Sequence, residues 1–249
     1  MHLKRLVYLL IEKALSFQTD KIVCISEAER ESALKNNICH EEKLCLIPNG
    51  IDIAKVQSAI PVLRSSLGFH DDDFVVGMVG RLARQKAPDV FVKAATIIQH
   101  KIPKAVFLIV GNGEETARIE NYAKMYGLKL VVTGWVDNPY SYLKIFDVAM
   151  LLSRWEGFGL AIAEYMAARK PYVATRVDAI PTLVEDGFDG FLVGVDSPEE
   201  AADRVIYIYN HKKEIEVMVE NAYKKVTMKY DIHRVAEQHK QLFDSLMKE

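Results

Sequence analysis

The chain has 249 residues, half of them hydrophobic, so it is long enough to bury one main core with an appended segment. Its 32 Lys and Arg residues face 34 Asp and Glu residues, and the net charge of −2 gives no overall basic field for a phosphate backbone. Composition therefore argues against a nucleic-acid partner.

The first predicted element is a helix in the segment MHLKRLVYLLIEKALSF. Glu12 and Lys13 interrupt its apolar pattern, so we interpret it as neither a signal peptide nor a membrane anchor. Its leucines, with Lys4 and Arg5, fit a helix that packs on a neighbouring protein element, which we favour, or one that lies on a membrane surface. Peripheral membrane contact therefore stays open.

The next segment predicts a strand, DKIVCIS, and a helix, EAERESALKNN, after which LCLIPNGID reaches a turn at Asn49-Gly50. One strand between two helices cannot form a sheet with its own core. We therefore expect residues 1–48 to be the remnant and hinge of a larger amino-terminal domain.

The three cysteines in this segment, Cys24, Cys39 and Cys45, match neither a disulfide framework nor the spacing of a zinc site. We expect them to be core thiols of a cytoplasmic protein, because a reducing compartment keeps cysteines free.

From about residue 74, short β-branched runs alternate with longer helical patterns. The strand candidates are FVVGMVG, AVFLIVG, LKLVVTG, FDVAMLLS and PYVATRV, and the helices between them are APDVFVKAATIIQH, EETARIENYAKMYG, NPYSYLKIF and GLAIAEYMAAR. This alternation predicts βαβ units and a doubly wound α/β fold with a parallel sheet over residues 49–230. Three helices, PEEAADRVIYIYN, KKEIEVMVENAYKKV and DIHRVAEQHKQLFDSLMK, follow, and the last belongs to residues 231–249.

Ligands of an open parallel sheet bind beyond the carboxyl ends of its strands. The segments at those ends are GRLARQK, GNGEE, GWVDN, SRWEGFG and RVDAIP, and four of the five contain glycine. In the first, Arg81 provides a planar fork and Lys86 a point charge, which together suit a diphosphate. Solvated surface cations are the alternative.

The stretch RWEGFGLAIAEYM carries one carboxylate in a loop, Glu156, and a second on the following helix, Glu164. The amides of EGFG, at the helix start near Leu160, favour an anion. Glu156 would repel a phosphate and is expected to face neutral hydroxyls. Glu164 could accept hydrogen bonds from a second set of hydroxyls. The pattern indicates a ligand with a central diphosphate and a sugar at each end. A cap charge at Glu156 and an exposed helix position for Glu164 are the alternatives.

Other site types lack their motifs. The GNG at 111–113 lacks the third glycine of the dinucleotide fingerprint and precedes Glu114 and Glu115, which argues against a nicotinamide enzyme. There is no GxxxxGK[ST] motif, and the histidines and serines show neither metallohydrolase nor G-x-S-x-G spacing. Residues 71–73, all Asp, precede a strand and predict a turn at the opposite edge from the ligand loops.

EGFGLAIAE, with GRLARQK upstream, resembles the retaining glycosyltransferases of the GT-B fold, specifically the large glycosyltransferase family four. The likeness runs from VCISEAER and LIPNGID through VVGMVGRL, LIVGNG and VVTGWV to LVEDGFDGFLV. It implies two Rossmann-like domains that face each other across a cleft, with the nucleotide-sugar donor held mainly by the carboxyl-terminal one. This chain resembles that donor half with a stub of the acceptor half, and its last helix would cross back toward the missing amino-terminal domain.

The resemblance also implies residue roles. Arg81 and Lys86 would hold the diphosphate, and Glu156 the donor sugar, so these three are the implied catalytic residues. Glu164 would bind the ribose hydroxyls. The other implied substrate-binding residues are the glycine that ends the first strand, two residues beside the base and the amides that open the helix: Gly80, Trp135, Val136, Gly157, Phe158, Gly159 and Leu160.

The chain departs from the family pattern in one neighbourhood. Ala168-Arg169 stands where a small pair is usual before KP, Asp178-Ala179 where two glycines are usual before IP, and Thr182 where an acid is common. These changes leave the core of the donor site intact and the contacts of the neighbouring loop open.

We therefore predict a metal-independent hexosyl- or other glycosyltransferase with no cofactor. It would move a sugar, with retention, from a nucleotide-diphosphate donor to a hydroxyl of a saccharide or lipid-linked acceptor, and this chain would supply the donor-binding half. A nucleotide-sugar binding module without turnover, and an epimerase or phosphorylase of similar fold, are the alternatives. The donor base, the sugar, the acceptor and the oligomeric state do not follow from the sequence.

Overall fold

The computed structural model describes residues 2–247, with side chains from residue 6 onward. Its strands are β1 (Ile22–Cys24), β2 (Leu44–Leu46), β3 (Phe74–Val79), β4 (Ala105–Val110), β5 (Leu130–Val132), β6 (Val148–Leu151), β7 (Tyr172–Thr175) and β8 (Phe191–Val193). Its helices are α1 (His2–Ser16), α2 (Glu27–Lys35), α3 (Ile53–Ser58), α4 (Pro88–Lys101), α5 (Thr116–Met125), α6 (Pro139–Leu143), α7 (Leu160–Ala167), α8 (Ile180–Leu183), α9 (Pro198–Asn210), α10 (Lys212–Lys229) and α11 (Ile232–Leu246).

The main layer is a parallel sheet of six strands in the order β5-β4-β3-β6-β7-β8. Parallel neighbours need crossover connections, and helices between the strands supply them. The predicted doubly wound α/β fold is confirmed. The chain builds β4 and β5 on one side of β3 and then returns to build β6, β7 and β8 on the other, so the winding direction reverses between β3 and β6.

Each face of the main sheet has its own hydrophobic core, because adjacent strand residues point to opposite sides. Val75 of β3 lies in the core beneath α3, α6, α7 and the later part of α10, whereas Val76 lies in the core beneath α4, α5 and α9. β4 is buried at every residue, which explains its continuous apolar run. The helices therefore hold the carboxyl ends of the strands at one well-packed rim.

The amino-terminal segment differs from its prediction in one respect. LCL forms a second strand, β2, which pairs in parallel with β1 from Ile22 opposite Leu44 to Cys24 opposite Leu46. The run of β2 holds no β-branched residue, and that of β8, which was also not predicted, holds one, whereas the equally short β1 and β5 hold two each. Residues 71–73 end in a turn before β3, as predicted, and Asp73 Oδ2 accepts from the His70 amide at 2.8 Å.

Residues 47–50 form no regular turn, in contrast to the predicted turn at Asn49-Gly50. Instead they lead to Ile51, which pairs with Asp231 just before α11. The Ile51 amide donates to the Tyr230 carbonyl at 2.7 Å, and the Ile232 amide donates to the Ile51 carbonyl at 3.0 Å. The start of the last helix is therefore fastened beside residue 51. The assignment of residues 1–48, 49–230 and 231–249 to separate parts stays a prediction, and Lys248 and Glu249 lie outside the described residues.

Helix α1 exposes large apolar side chains, among them Leu6, Tyr8, Leu10 and Leu15. Whether a protein element or a membrane surface covers them stays a prediction, and the side chains of Lys4 and Arg5 lie outside those described. Between residues 2 and 247, no helix combines the length and the hydropathy needed to cross a bilayer.

Candidate functional site

The crevice that can take a ligand lies where the winding of the sheet reverses. β3 and β6 are neighbours, paired at Val76 with Val148 and at Gly77 with Ala149, yet their following loops lead to helices on opposite faces. Such a reversal leaves an opening beyond the carboxyl ends of the two strands. The loops at this opening are the two that the sequence singled out, residues 80–87 and 152–159.

The loop after β3 begins at Gly80, whose φ of 154° lies in the region that favours glycine. A tight turn at Arg84–Lys86 then leads through Ala87 into α4. A Cβ at position 80 would lie 3.7 Å from Lys86 Cγ, so the lysine side chain runs alongside the glycine. Arg81 is exposed, and its side chain stands apart from this packed pair.

Lys86 Nζ forms an ion pair with Glu156 Oε1, and Ser153 Oγ donates to the same oxygen at 2.7 Å. Only 20% of the Lys86 side chain and 7% of the Glu156 side chain are exposed. A charge-assisted hydrogen bond in such a shielded place is strong. Glu156 therefore faces the Ser153 hydroxyl and one cation within the protein, and its contact with sugar hydroxyls stays a prediction.

The loop that carries Glu156 is held by the segment after β7. The Glu156 amide donates to Asp178 Oδ2 at 2.9 Å, and Asp178 has a φ of 45°. Aspartate tolerates this left-handed conformation better than most residues with a side chain. Asp178, which stands where the resemblance implies a glycine, thus supplies an acceptor for the loop.

The start of α7 is shaped by Gly159, which has a φ of 94°. A Cβ there would lie 2.5 Å from Ile180 Cδ1, so a side chain does not fit. Phe158 is buried and meets the Tyr230 ring edge to face, with centroids 5.5 Å apart. Because the first amides of a helix have no partners within it, this helix start presents N–H groups to the crevice.

Two further predicted residues flank the helix start. Gly157 is exposed, and an added Cβ would lie 3.6 Å from Glu29 Oε1 of the amino-terminal segment. Leu160 opens α7 and is about half exposed.

Glu164 lies one turn further along α7. Tyr140 Oη donates to Glu164 Oε1 at 3.2 Å. Burial raises the pKa of Glu164, while the Tyr140 hydrogen bond and the nearby charge of Lys86 oppose the rise. Burial and the charge of Glu164 raise the pKa of Tyr140 to about 12. The next residue, Tyr165, is fully buried, and its hydroxyl accepts from the Val79 amide at 3.1 Å, which fastens α7 to the end of β3.

The loop after β5 carries Trp135 and Val136. Trp135 is 73% exposed, and Val136 packs partly against the core beneath α7. The side chain of Asn138 then accepts from the Tyr140 amide at 3.2 Å and starts α6. The exposed indole of Trp135 therefore leaves an aromatic face open to solvent in the loop between β5 and α6.

The structure thus pairs Lys86 with Glu156, places Glu164 within the influence of the Lys86 charge, and leaves Arg81 and Trp135 exposed. Sequence reasoning missed the partners of these groups, which are Ser153, Tyr140 and Asp178. Ser153 lies three residues before Glu156 and two residues after the end of β6, so its spacing was a readable signal. The other two lie 24 and 22 residues from their partners, where spacing gives no signal. The roles of the predicted site residues stay predictions.

Known proteins with similar sequences are enzymes of sugar transfer. The UDP-Gal:alpha-D-GlcNAc-diphosphoundecaprenol alpha-1,3-galactosyltransferase of Escherichia coli is 31% identical over 247 residues, covering 96% of this chain and 64% of that protein. The putative glycosyltransferase EpsD of Bacillus subtilis is 26% identical, covering 97% of this chain and 65% of that protein. The chain therefore spans slightly less than two thirds of the length of these two relatives.

Solved structures agree with the fold. Sucrose-phosphate synthase from Thermosynechococcus elongatus superimposes with a TM-score of 0.84 at 26% identity, covering 96% of this chain and 61% of that one. Anabaena HepE superimposes with a TM-score of 0.81 at 22% identity, covering 91% of this chain and 63% of that one.

The model of the family described as glycosyl transferases group 1 matches residues 60–225, which is more than half of the chain and includes every loop of the crevice. The chain belongs to the glycosyl transferases group 1 family.

Proposed function

We propose that this chain is the donor-binding half of a cytoplasmic, retaining glycosyltransferase of family four that needs neither a metal nor a cofactor. The observation that carries the proposal is the ion pair of Lys86 with Glu156 where the sheet reverses its winding direction, with Glu164 on the following helix within the influence of the same cation. One cation with two acids in its surroundings, beside a helix start, suits a ligand whose anionic centre lies between two groups of hydroxyls.

The diphosphate of the donor would take the centre of the crevice. Arg81 has an exposed guanidinium that can turn toward it, and Lys86 is held close by. The amides from Gly157 to Leu160 add the positive end of α7. As the bond from the sugar to the diphosphate breaks, negative charge grows on the leaving group, and these fixed positive groups stabilise it.

Glu156 and Glu164 would bind the two sugars on either side. A diphosphate that reaches Lys86 shares its charge with Glu156, which leaves carboxylate oxygen free to accept from hydroxyls of the transferred sugar. Glu164 accepts from Tyr140 through Oε1 and has capacity for ribose hydroxyls. Trp135 and Val136 would then lie beside the base.

Retention follows if the acceptor hydroxyl attacks on the face from which the diphosphate leaves. The bond from the anomeric carbon to the phosphate oxygen breaks, the bond to the acceptor oxygen forms, and the acceptor proton passes to the departing phosphate. This route requires no general base among the residues of the crevice. It also requires the acceptor to lie against the diphosphate, at the open side of the crevice.

The E. coli relative is named for a UDP-Gal donor and an acceptor with a sugar on a lipid diphosphate. This supports a uridine-diphosphate hexose as the first donor to test and a saccharide or lipid-linked saccharide as the acceptor. We propose that acceptor binding and turnover need a further domain, such as the third of the relatives' length that this chain does not match. A nucleotide-sugar binding module is the second candidate for the chain by itself.

Donor binding tests the proposal directly. The chain is titrated by calorimetry with the uridine, guanosine and adenosine diphosphates and with the corresponding nucleotide sugars. The ligands that carry one of the three bases are expected to bind. Lys86→Ala should weaken that affinity roughly tenfold or more, because the diphosphate loses its shielded cation. Lys101→Ala, at the exposed end of α4, is the matched control and should not change it. Equal affinities of Lys86→Ala and the unchanged chain would show that the diphosphate does not bind in this crevice.

A further inference from the structure

Arg154 lies between Ser153 and Glu156, but its side chain turns away from the crevice and joins three separate segments. Its Nη2 donates to Asp89 Oδ2 at 2.8 Å, and its Nε donates to Asp196 Oδ1 at 2.7 Å. Its Nη1 donates to the Arg84 carbonyl at 2.9 Å. One guanidinium therefore connects the loop after β6 with the loop after β3, the first turn of α4 and the loop after β8.

The backbone strengthens the same connection. The Arg154 amide donates to the Gln85 carbonyl at 2.8 Å, and Gln85 Nε2 donates to the Trp155 carbonyl at 3.0 Å. Residues 84–85 are thus joined to residues 154–155 at three points. Lys86 follows directly on one side and Glu156 on the other, so the two groups that pair in the crevice sit at the ends of these joined segments.

The pair of Arg154 with Asp89 is shielded from solvent, since only 18% of the Arg154 side chain and 22% of that of Asp89 are exposed, whereas Asp196 is 55% exposed. Burial raises the pKa of Asp89, but the hydrogen bond and the charge of Arg154 outweigh it, so the carboxyl has a pKa below its ordinary value. Asp89 Oδ1 is buried without a hydrogen-bond partner among the described residues. The charge of Arg154 therefore stabilises the ionised form of Asp89.

A lysine cannot reproduce this arrangement. The planar fork of arginine reaches two carboxylates and a carbonyl at once, whereas an ammonium group is a compact point charge on a flexible stem. Arg154→Lys would keep the charge near Asp89 and lose the geometry that joins the loops.

We infer that Arg154 is a positioning residue of the donor site, which sets the separation of Lys86 from Glu156 by joining the loop after β3 to the loop after β6. The inference rests on the proposed donor-binding function. It assigns to Arg154 no contact with the donor, so its effect on binding passes through Lys86.

The fold offers a matched control at the opposite edge of the sheet. Arg64 is also shielded, with 20% of its side chain exposed, and joins loops through Asp147 and the carbonyls of Asp73 and Ile145. Arg64→Lys should therefore lower the melting temperature much as Arg154→Lys does, without touching the crevice. The two variants separate loss of stability from loss of positioning.

Calorimetry with the diphosphate that the unchanged chain binds, well below both melting temperatures, is the first measurement. Arg154→Lys should weaken binding roughly tenfold, since small displacements of binding groups have effects of this size, and Arg64→Lys less than about twofold. In a chain that already carries Lys86→Ala, Arg154→Lys should have little further effect, because interacting sites are not additive. Equal losses for the two arginine variants, or additive effects with Lys86→Ala, would overturn the inference.

Amide hydrogen exchange gives a test without a ligand. Arg154→Lys should speed exchange within residues 84–87 and leave the loops around Arg64 unchanged. Failure of the unchanged chain to bind any nucleoside diphosphate would refute the proposed function, whereas unchanged exchange at 84–87 in Arg154→Lys would refute the role of Arg154.

Discussion

Lys86 and Glu156 neutralise each other in the crevice, and Ser153 donates to the same carboxylate oxygen that pairs with Lys86. With both side chains mostly shielded, removal of either charge leaves the other with little solvent to replace its partner. The pair therefore holds the lysine in place, and the diphosphate of the proposed donor would have to compete with Glu156 for it. This competition gives the two residues separable effects on binding.

Glu156→Gln keeps the shape of the side chain and removes its charge, so Lys86 becomes fully available to an anion. Free uridine diphosphate, or whichever diphosphate the chain binds, should bind at least as tightly as before and up to roughly tenfold tighter. The intact donor should lose its advantage over the free diphosphate, because an amide accepts less strongly from sugar hydroxyls than a carboxylate does. Calorimetry gives the ratio of the two affinities.

Glu220→Gln is the control, since this exposed acid pairs with Arg169 on the surface of α10. It should leave both affinities unchanged. Weaker binding of the diphosphate, combined with an unchanged ratio of the donor affinity to the diphosphate affinity, would contradict the role given to Glu156.

Glu164 makes the stability of the fold depend on pH through the proton on its carboxyl group. Burial raises the pKa of its carboxyl above the ordinary value of 4.5, so the folded chain holds this proton to a higher pH than the unfolded chain does. Its contribution to stability is therefore fully present below pH 4.5 and is lost as the pH rises through the raised folded value.

Glu164→Gln removes this titration. Relative to the unchanged chain, the variant should gain melting temperature as the pH rises from 4.5 toward neutrality, while its affinity for the nucleoside diphosphate at neutral pH falls. Thermal unfolding across this range, with exposed Glu216→Gln as the control, measures the first effect. A stability difference that does not change with pH would show that burial of Glu164 does not govern its protonation.

At the scale of elements, the start of α7 depends on one glycine for two reasons. Gly159 needs a left-handed backbone, and its position leaves no room for a side chain beside Ile180. Gly187 has a similar φ of 78° but open space around it. The two glycines therefore separate backbone strain from steric conflict.

Gly187→Ala should cost about 1 to 2 kcal/mol of unfolding free energy, the usual strain of a left-handed residue with a side chain. Gly159→Ala should cost more and should also weaken diphosphate binding, because the helix start must shift away from Ile180. Urea unfolding and calorimetry on both variants check this. Equal stability losses, with binding intact in both, would place the amides of α7 outside the donor site.

Much of this architecture follows from sequence pattern, because long β-branched runs, helix periods and prolines such as Pro88 and Pro198 are local signals. The rim that carries Arg81 and Lys86 follows in turn from the rule for parallel sheets. The strands β2 and β8 were not recognised because their short runs hold at most one β-branched residue, whereas the equally short β1 and β5 hold two each. Pairings such as Tyr140 with Glu164 depend on how α6 packs against α7, which no local signal encodes.

At the scale of the whole molecule, the segment around Ile51 pairs with the residues at the start of α11. Ile51 and Asp231 pair in parallel, and Asp231 caps α11 by accepting from the His233 amide at 2.9 Å. A groove of about 450 Å³ runs beside this junction between the amino-terminal segment, Phe158 of the crevice and the start of α11, and Arg234 lines it. The attachment of α11 therefore sets how the amino-terminal segment lies against the crevice.

The lack of a side chain at Gly50 lets the first residues of α11 lie this close to the segment before Ile51. A Cβ there would lie 2.8 Å from Ile232 Cδ1 and 2.9 Å from the backbone α-carbon of Ile232, so Gly50→Ala conflicts with the backbone as well as with a side chain. We expect the variant to loosen the start of α11, seen as faster amide exchange over residues 231–235, while the main sheet keeps its protection. Adding Ile232→Val removes the Cδ1 atom but leaves the conflict with the backbone, so it should restore little of the protection. Full restoration would show that the side chain alone set the fit, and unchanged exchange in Gly50→Ala would show that α11 is not fastened at this point.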